Sequence, residues 1–197
     1  MTYVLTKDII LQLQQLAKLS YERGGYISFK DRTRPKIIIE SKKGTKRGYE
    51  PLLRNLSVRN VIRFHTHPDT SMETPPSDQD YIQTCKDYVQ RGDGIPYHMV
   101  VCPRSLFLLE IAPDDLQKLD VFIQANRSLS GVKRKEMFLN TSLLMDIENK
   151  AKKMIKYQTC LDEETKKKCV KNYIKNIRQK CNIPITWYNV SRVVLHP

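Results

Sequence analysis

The spacing of apolar and polar residues predicts a strand-rich first part of the chain. Thr6 suits the N-cap of a first helix, in which apolar residues recur every three to four positions as far as about Leu19. Two consecutive glycines end this pattern, and residues 26–30 predict a strand. Three consecutive isoleucines within residues 36–40 predict a second strand, which we expect to be buried on both faces.

The middle of the chain continues this alternation of strands and helices. Residues 58–67 predict a strand that ends in two histidines, and a proline-rich loop follows it. Ser77 opens a helix with an apolar stripe, and residues 97–102 and 106–111 predict a pair of strands. We therefore expect an α/β (α+β) fold in which helices flank a mixed β-sheet.

Beyond residue 112 the pattern becomes mostly helical. Asp114 and Asp115 suit the start of one helix, and two further apolar stripes predict two more. These stripes comprise Leu144, Ile147, Ala151 and Met154, and then Val170, Ile174, Ile177 and Cys181. Residues 183–197 predict a short strand or an irregular tail. We interpret residues 1–112 as the main domain, 113–182 as a basic helical extension and 183–197 as this last segment.

The charge of the chain is strongly positive, with 34 basic and 21 acidic residues and a net charge of +13. Such an excess attracts nucleic acids, anionic membranes or acidic protein surfaces, although solvated lysine-rich helices produce it too. Two lysine-rich runs lie at residues 42–47 and 166–175. They lack interleaved aromatic residues and a recognised DNA or RNA motif, so nucleic-acid binding is an alternative function rather than the leading one.

The cysteines and the apolar segments bear on localisation. The five cysteines are odd in number and form no CxxC pair, which argues against a disulfide framework and favours a reducing compartment. No apolar run approaches the roughly 18 residues of a membrane span, and the N-terminus lacks the apolar core of a secretory signal. We expect an intracellular protein, cytoplasmic or nuclear, without a membrane partner.

Candidate metal ligands are His65, His67 and Asp80. Residues two apart on a strand point to the same side, so both imidazoles can contact one ion. Asp80 falls in the first turn of the next helix, where the helix dipole keeps a carboxylate ionised. The alternative is that the histidines are ordinary surface residues and that Ser77 and Asp80 only cap a helix.

The combination of motifs resembles the JAMM (MPN-plus) family of zinc metalloproteases. Glu22 stands shortly before Gly25, His65-Thr66-His67-Pro68 matches the family's His-x-His-Pro, and Ser77 and Asp80 match its Ser-x-x-Asp. The likeness extends approximately over residues 5–111. The spacer between the second histidine and the serine has nine residues where the family pattern usually has seven.

This resemblance implies a site and an activity. His65, His67 and Asp80 would ligate one Zn²⁺ per chain, Glu22 would be the general base, and Ser77 would help to hold the tetrahedral intermediate. The family hydrolyses peptide or isopeptide bonds, often releasing ubiquitin or a ubiquitin-like protein from lysine. We therefore expect a zinc isopeptidase, most simply a deubiquitinase.

A second interpretation is a non-catalytic subunit. Some relatives that lack the metal ligands serve as scaffolds, whereas this chain retains every ligand. In several multi-subunit relatives the helices after the catalytic domain bind partner subunits, and residues 113–181 are the matching segment here. Their apolar stripes suit packing on the chain's own domain equally well.

Overall fold

A six-stranded mixed β-sheet lies at the centre of the computed structural model. Its strands are Gly24–Ser28 (β1), Lys36–Ile39 (β2), Val61–Thr66 (β3), Tyr97–Val101 (β4), Ser105–Glu110 (β5) and Ile185–Asn189 (β6). Their order is β2-β1-β3-β4-β5-β6, in which β3 and β4 pair in parallel and the other neighbours pair antiparallel. The structure describes residues 5–29, 35–39, 61–67, 74–92, 96–154 and 163–189.

Helices pack on both faces of this sheet and confirm the predicted α+β class. They are Lys7–Ala17 (α1), Asp78–Arg91 (α2), Pro113–Ala125 (α3), Gly131–Phe138 (α4), Ser142–Ala151 (α5) and Glu163–Cys181 (α6). The sequence analysis missed α4. Only Arg134 and Phe138 of this helix are buried, and Arg134 is charged. The sequence therefore contains no apolar stripe that would predict the helix.

The two faces of the sheet carry separate hydrophobic cores. On one face α1 packs Ile9, Leu13 and Ala17 against apolar residues of β1, β3, β4 and β5. On the other face α2 to α6 share one continuous core with β4, β5 and β6. The predicted helical extension therefore packs against its own sheet, and the last predicted segment contains a strand of that sheet.

The expectation that the isoleucine strand is buried on both faces is wrong. β2 is an edge strand of the sheet, and Ile38 and Ile39 remain 38% and 47% exposed. An edge strand has a neighbour on one side only, so apolar residues there are less enclosed than in a central strand. The pairing with β1 is nevertheless close, because a side chain at Gly25 would collide with the Ile38 carbonyl oxygen.

The parallel unit β3-α2-β4 forms the frame of the candidate site. Ser77 caps the N-terminus of α2, and Gly92 ends the helix in the left-handed conformation, at φ 79°. The Arg134 guanidinium donates to the Val89 and Gln90 carbonyl oxygens and so satisfies the last turn of α2. The start of α2 follows the carboxyl end of β3, which is where parallel α/β units commonly bind ligands.

The cysteines differ partly from the sequence-based expectation. Cys85, Cys102 and Cys181 are buried free thiols. Cys169 on α6, in contrast, is disulfide-bonded. This is not a disulfide framework, but it departs from the expectation of reduced cysteines. Across the described ranges, no helix combines the length and the apolar character needed to traverse a bilayer.

The lysine-rich runs are only partly described. The run at residues 42–47 and most of the spacer between His67 and Ser77 lie outside the described residues. On α6 the side chains of Lys167, Lys168, Lys171 and Lys175 are exposed. They lie away from the buried positions of that helix, as in a solvated helix face. Binding of nucleic acid or of a partner subunit stays a prediction.

Candidate metal centre

The carboxyl end of β3 directs two histidines to the same side of the sheet. His65 is the last residue but one of this strand and is buried, and His67 follows the strand directly. Their Nε2 atoms lie 2.9 Å apart. Thr66 points to the opposite face, where its hydroxyl accepts a hydrogen bond from the Arg23 amide. The alternation that the sequence predicted for this segment is therefore confirmed.

Asp80 reaches the two histidines from the first turn of α2. Its Oδ2 atom accepts hydrogen bonds from the Ser77 amide at 2.7 Å and from Ser77 Oγ at 2.8 Å, while Ser77 Oγ accepts from the Asp80 amide. This reciprocal pair is a capping box. It leaves Oδ1 of the same carboxylate 3.5 Å from His65 Nε2. One oxygen of Asp80 thus fixes the helix start and the other faces the histidines.

Together these residues form a group that can hold a metal ion. Ligand atoms of His65, His67 and Asp80 all lie within 4.8 Å of one another. Ligands at the usual 2.0–2.1 Å from Zn²⁺ are about 3.3 Å apart in a tetrahedron. The two measured separations from His65 Nε2, 2.9 Å and 3.5 Å, lie on either side of this value. Three protein ligands of this kind leave a fourth position for water or substrate.

Glu22 lies beside this group. Gly24 pairs with His65, and the Thr66 amide donates to the Arg23 carbonyl at 2.8 Å, so the pairing of β1 with β3 continues toward Glu22. One residue further, this register sets Glu22 across from His67 on the same face of the sheet. Burial and the negative charge of Asp80 raise the pKa of Glu22 to about 7. Its carboxyl group can therefore exchange a proton near neutral pH.

The second ring nitrogen of each histidine has its own partner. His67 Nδ1 lies 2.9 Å from the Thr74 carbonyl oxygen, which can only accept a hydrogen bond. His65 Nδ1 lies 2.7 Å from Nε2 of His98, a buried histidine on β4. Such outer contacts are typical of metal-binding histidines because they fix the ring orientation.

The electrostatic environment favours the protonation states of metal ligands. Burial lowers the pKa values of His65 and His98, so both rings are neutral at pH 7. Burial also opposes the ionisation of Asp80, but the neighbouring histidines and the Ser77 amide together hold its pKa below the ordinary value. Neutral imidazoles and an ionised carboxylate are what a divalent cation requires.

The structure brings all the predicted site residues to one place. His65, His67 and Asp80 converge, Glu22 is adjacent, and Ser77 caps α2 while donating to Asp80. The sequence analysis missed His98. The available signal was the β3-α2-β4 order, which makes the two strands neighbours and places a third histidine next to the pair.

No family model matches the chain, and a comparison with curated proteins and with solved structures finds no significant match either. The residues of the site themselves support a group that can bind a metal ion.

Proposed function

We propose that the protein is a zinc-dependent hydrolase of the JAMM (MPN-plus) type that cleaves peptide or isopeptide bonds. The observation that carries this proposal is the combination of three converging ligands with a carboxyl group of pKa about 7 beside them. Hydrolysis at a metal centre needs a Lewis acid and a base that exchanges protons near neutrality. His65, His67 and Asp80 are ligands for a metal ion that acts as the Lewis acid, and Glu22 is the base.

Two histidines and one carboxylate are also the ligand set of non-haem iron oxygenases. Glu22 favours the hydrolase, because a second, proton-exchanging carboxylate is a requirement of water activation and has no necessary role in binding oxygen to iron. The open fourth position suits zinc in a catalytic rather than a structural site. Zinc is therefore the ion that we assign to His65, His67 and Asp80.

Each residue of the site then has its own role in hydrolysis. When bound, the ion supplies positive charge that lowers the pKa of a water ligand toward about 7 and polarises a carbonyl group. Glu22 accepts the proton of the attacking water and transfers it to the leaving amine. The Ser77 hydroxyl donates its single proton to Asp80 Oδ2 at 2.8 Å, and it would have to turn this proton toward the substrate to serve the oxygen that becomes negative. Such a donor contributes about 3 kcal/mol.

We further propose that the substrate is ubiquitin or a ubiquitin-like modifier linked to lysine. This choice follows from the resemblance of the Glu22, His-x-His-Pro and Ser-x-x-Asp motifs to enzymes of that class. The alternative of a scaffold subunit has less support, because a chain without catalysis has no use for a complete ligand set and a neighbouring base.

A first experiment tests the ion. The purified protein, prepared without chelator, is analysed for zinc and iron by mass spectrometry, and we expect about one zinc per chain. Iron instead of zinc would contradict the hydrolase and favour the oxygenase. If neither metal were bound after dialysis against each, the proposal of a metal centre would be wrong.

A second experiment tests the reaction. A panel of ubiquitin and ubiquitin-like conjugates is incubated with wild-type protein, with chelator-treated protein and with the variant Glu22→Gln. We expect chelation to stop cleavage and Glu22→Gln to lower turnover by about 10²–10⁴-fold, with the zinc content unchanged. Glu136→Gln, at an exposed position on α4, is the matched control and should be fully active. Equal turnover of Glu22→Gln and wild type would exclude Glu22 as the base.

A further inference from the structure

The hydrogen-bonded row of imidazoles assigns a distinct state to each ring of the site. His67 Nδ1 must carry a proton, because the Thr74 carbonyl oxygen next to it can only accept. A neutral His67 then has a lone pair on Nε2, so His65 Nε2, which lies 2.9 Å away, must be the donor. In this arrangement, therefore, His65 carries its proton on Nε2 and its lone pair on Nδ1.

The same reasoning extends to the third ring. His65 Nδ1 accepts in this state, so His98 Nε2, at 2.7 Å, is the donor. His98 Nδ1 then has no proton, and it has no hydrogen-bond partner within the described residues. A bare lone pair in that position costs less than a buried N–H group without an acceptor. Every donor in the row is thus satisfied.

A cation between His65, His67 and Asp80 requires a different arrangement. Both Nε2 atoms must then offer lone pairs to the ion. His67 already does so, because its proton is fixed on Nδ1. His65 has to move its proton from Nε2 to Nδ1, and its Nδ1 becomes a donor. The partner of that atom must change from donor to acceptor at the same time, so the His98 proton moves from Nε2 to Nδ1, and metal binding has to offset the cost of a buried N–H group that has no acceptor among the described residues.

We propose that His98 is the positioning residue of the metal site, the side chain that allows His65 to become a ligand. An imidazole suits this position because His98 Nε2 can act toward His65 Nδ1 either as a donor or as an acceptor, whichever the tautomer of His65 requires. A carboxylate or a carbonyl could only accept, and an apolar residue could do neither. His98 is buried, and Arg63 pairs with it across β3 and β4, so its ring has little freedom to turn away.

This inference rests on the proposed zinc binding and deepens it by naming a residue outside the ligand set. It also separates the two histidines: His67 is held ready by a backbone carbonyl, whereas His65 depends on a partner that can change its hydrogen-bonding role. Outer-shell partners of metal-bound histidines typically contribute about 10–100-fold to metal affinity. His98 is expected to contribute within that range.

The test compares the zinc affinities of wild type, His98→Leu and His98→Gln by competition with a chromogenic chelator. Glutamine retains a donor and an acceptor near the position of Nε2, whereas leucine retains only bulk. We expect His98→Leu to bind zinc about 10–100-fold more weakly than wild type. We expect His98→Gln to bind zinc about tenfold more tightly than His98→Leu. Met99→Leu, which changes the neighbouring residue on the other face of β4, should leave the affinity unchanged.

Thermal unfolding of the metal-free proteins distinguishes positioning from a purely structural role. Loss of a polar ring with an unpartnered atom should leave the melting temperature of His98→Leu within a few degrees of wild type. ¹⁵N NMR of the imidazoles should place the His65 proton on Nε2 without zinc and on Nδ1 with zinc.

The outcomes separate the two proposals. Tight zinc binding by His98→Leu, or equally weak binding by both His98 variants, would overturn the role of His98 and leave the zinc hydrolase standing. A His65 proton that stays on Nε2 in the zinc-loaded protein would also overturn it. A wild-type protein that binds no zinc would overturn the hydrolase and this inference together.

Discussion

Asp80 and Tyr81 are neighbours on α2, yet they belong to two polar clusters of opposite character. Tyr81 belongs to the anchor cluster, formed by Tyr81, Asp114, Asp115 and Lys150. Its hydroxyl donates to Asp115 Oδ2 at 2.6 Å and accepts from the Ala112 amide at 3.1 Å. Lys150 Nζ lies 2.9 Å from oxygens of both aspartates. Donors and acceptors match throughout, and a cation already sits among the anions.

The candidate metal site differs from the anchor cluster in its balance of hydrogen-bond donors and acceptors. His67 Nε2 and Asp80 Oδ1 are acceptors that both face a single donor, His65 Nε2, and Glu22 adds a second carboxyl group beside them. The histidines share a single proton between their Nε2 atoms, and burial drives the pKa of Glu22 upward. Among the described residues, no lysine or arginine forms an ion pair with Asp80, and Oδ1 of its carboxylate faces the neutral ring of His65.

The comparison indicates how the two clusters are used. Buried polar groups stabilise a fold when each finds a complementary partner, and they cost free energy when they do not. The anchor cluster is complete as it stands and ties α2 to α3 and α5. In the metal site the acceptors outnumber the donors, and no lysine or arginine of the described residues pairs with Asp80, which is the arrangement expected of a cation-binding site rather than a structural one.

The largest predicted effect separates the clusters by metal binding. Asp80→Asn removes the anionic ligand but retains an oxygen that can accept from the Ser77 amide, so the helix start should survive. We expect zinc affinity to fall by more than about 100-fold, because loss of a ligand should exceed the 10–100-fold of an outer partner. Chelator competition measures the affinity, and circular dichroism checks the fold.

Asp78→Asn is the control for this prediction. It removes the same charge from the same turn of α2 but does not belong to the ligand group. Its zinc affinity should stay within a few-fold of wild type. If both variants lost affinity equally, the general negative charge of the helix start would explain binding, and the ligand role of Asp80 would be wrong.

The anchor cluster should respond in stability instead. Lys150→Met leaves Asp115, whose side chain is 5% exposed, without its cation. Breaking a buried pair costs about 3–5 kcal/mol; because Asp114 is partly solvated, we expect about 2–3 kcal/mol here, with zinc affinity unchanged. Urea unfolding measures the loss, and Lys153→Met at an exposed position serves as the control. A stable Lys150→Met protein with weakened zinc binding would reverse the assignment of the two clusters.

Much of this site is predictable from the sequence because its parts are local. His65 and His67 lie two apart on a strand, and Ser77 and Asp80 form a capping box three apart, so spacing alone places their side chains. Their meeting depends on β3-α2-β4 being a parallel unit, which the order of elements suggests. The contact of His98 with His65 is not predictable in this way. The two residues are 33 positions apart in the sequence, and their contact depends on the register between β3 and β4.

The errors have the same origin. The exposure of Ile38 and Ile39 depends on β2 being an edge strand, which three consecutive isoleucines cannot reveal. Helix α4 is held through the Arg134 guanidinium and the end of α2, a tertiary contact made by a charged side chain. Sequence patterns report the faces of single elements well, whereas neighbours in space decide burial and hydrogen bonding.

Glu22 gives the third prediction, which concerns pH. Its folded-state pKa is about 7 and its ordinary value is 4.5, so the folded protein binds this proton more tightly than the unfolded chain. Stability from this group is therefore present below about pH 4.5 and is lost as the pH rises to about 7. Glutamine cannot ionise, so metal-free Glu22→Gln should gain stability over wild type across this window.

We expect the difference in unfolding free energy to grow from near zero at pH 4.5 to about 1–2 kcal/mol at pH 8, after allowance for partial solvation of the carboxyl group. Urea titrations of both chelated proteins at several pH values measure it. The buried histidines titrate in both proteins, so their contribution cancels in the difference. If the difference in unfolding free energy did not vary with pH, the Glu22 carboxyl group would be fully solvated. That result would contradict its position beside the metal site.

The smallest predicted effect concerns a side-chain hydrogen bond between α6 and the start of α2. The buried Tyr173 hydroxyl donates to the Pro76 carbonyl oxygen at 2.8 Å, directly before the Ser77 cap. Tyr173→Phe should cost about 1 kcal/mol, or about 2–4 °C in melting temperature, because it leaves that carbonyl unpaired. Tyr188→Phe on β6 is the matched control. If Tyr173→Phe also weakens zinc binding a few-fold, α6 helps to shape the metal site as well as the fold; if only stability changes, its contribution belongs with that of the anchor cluster.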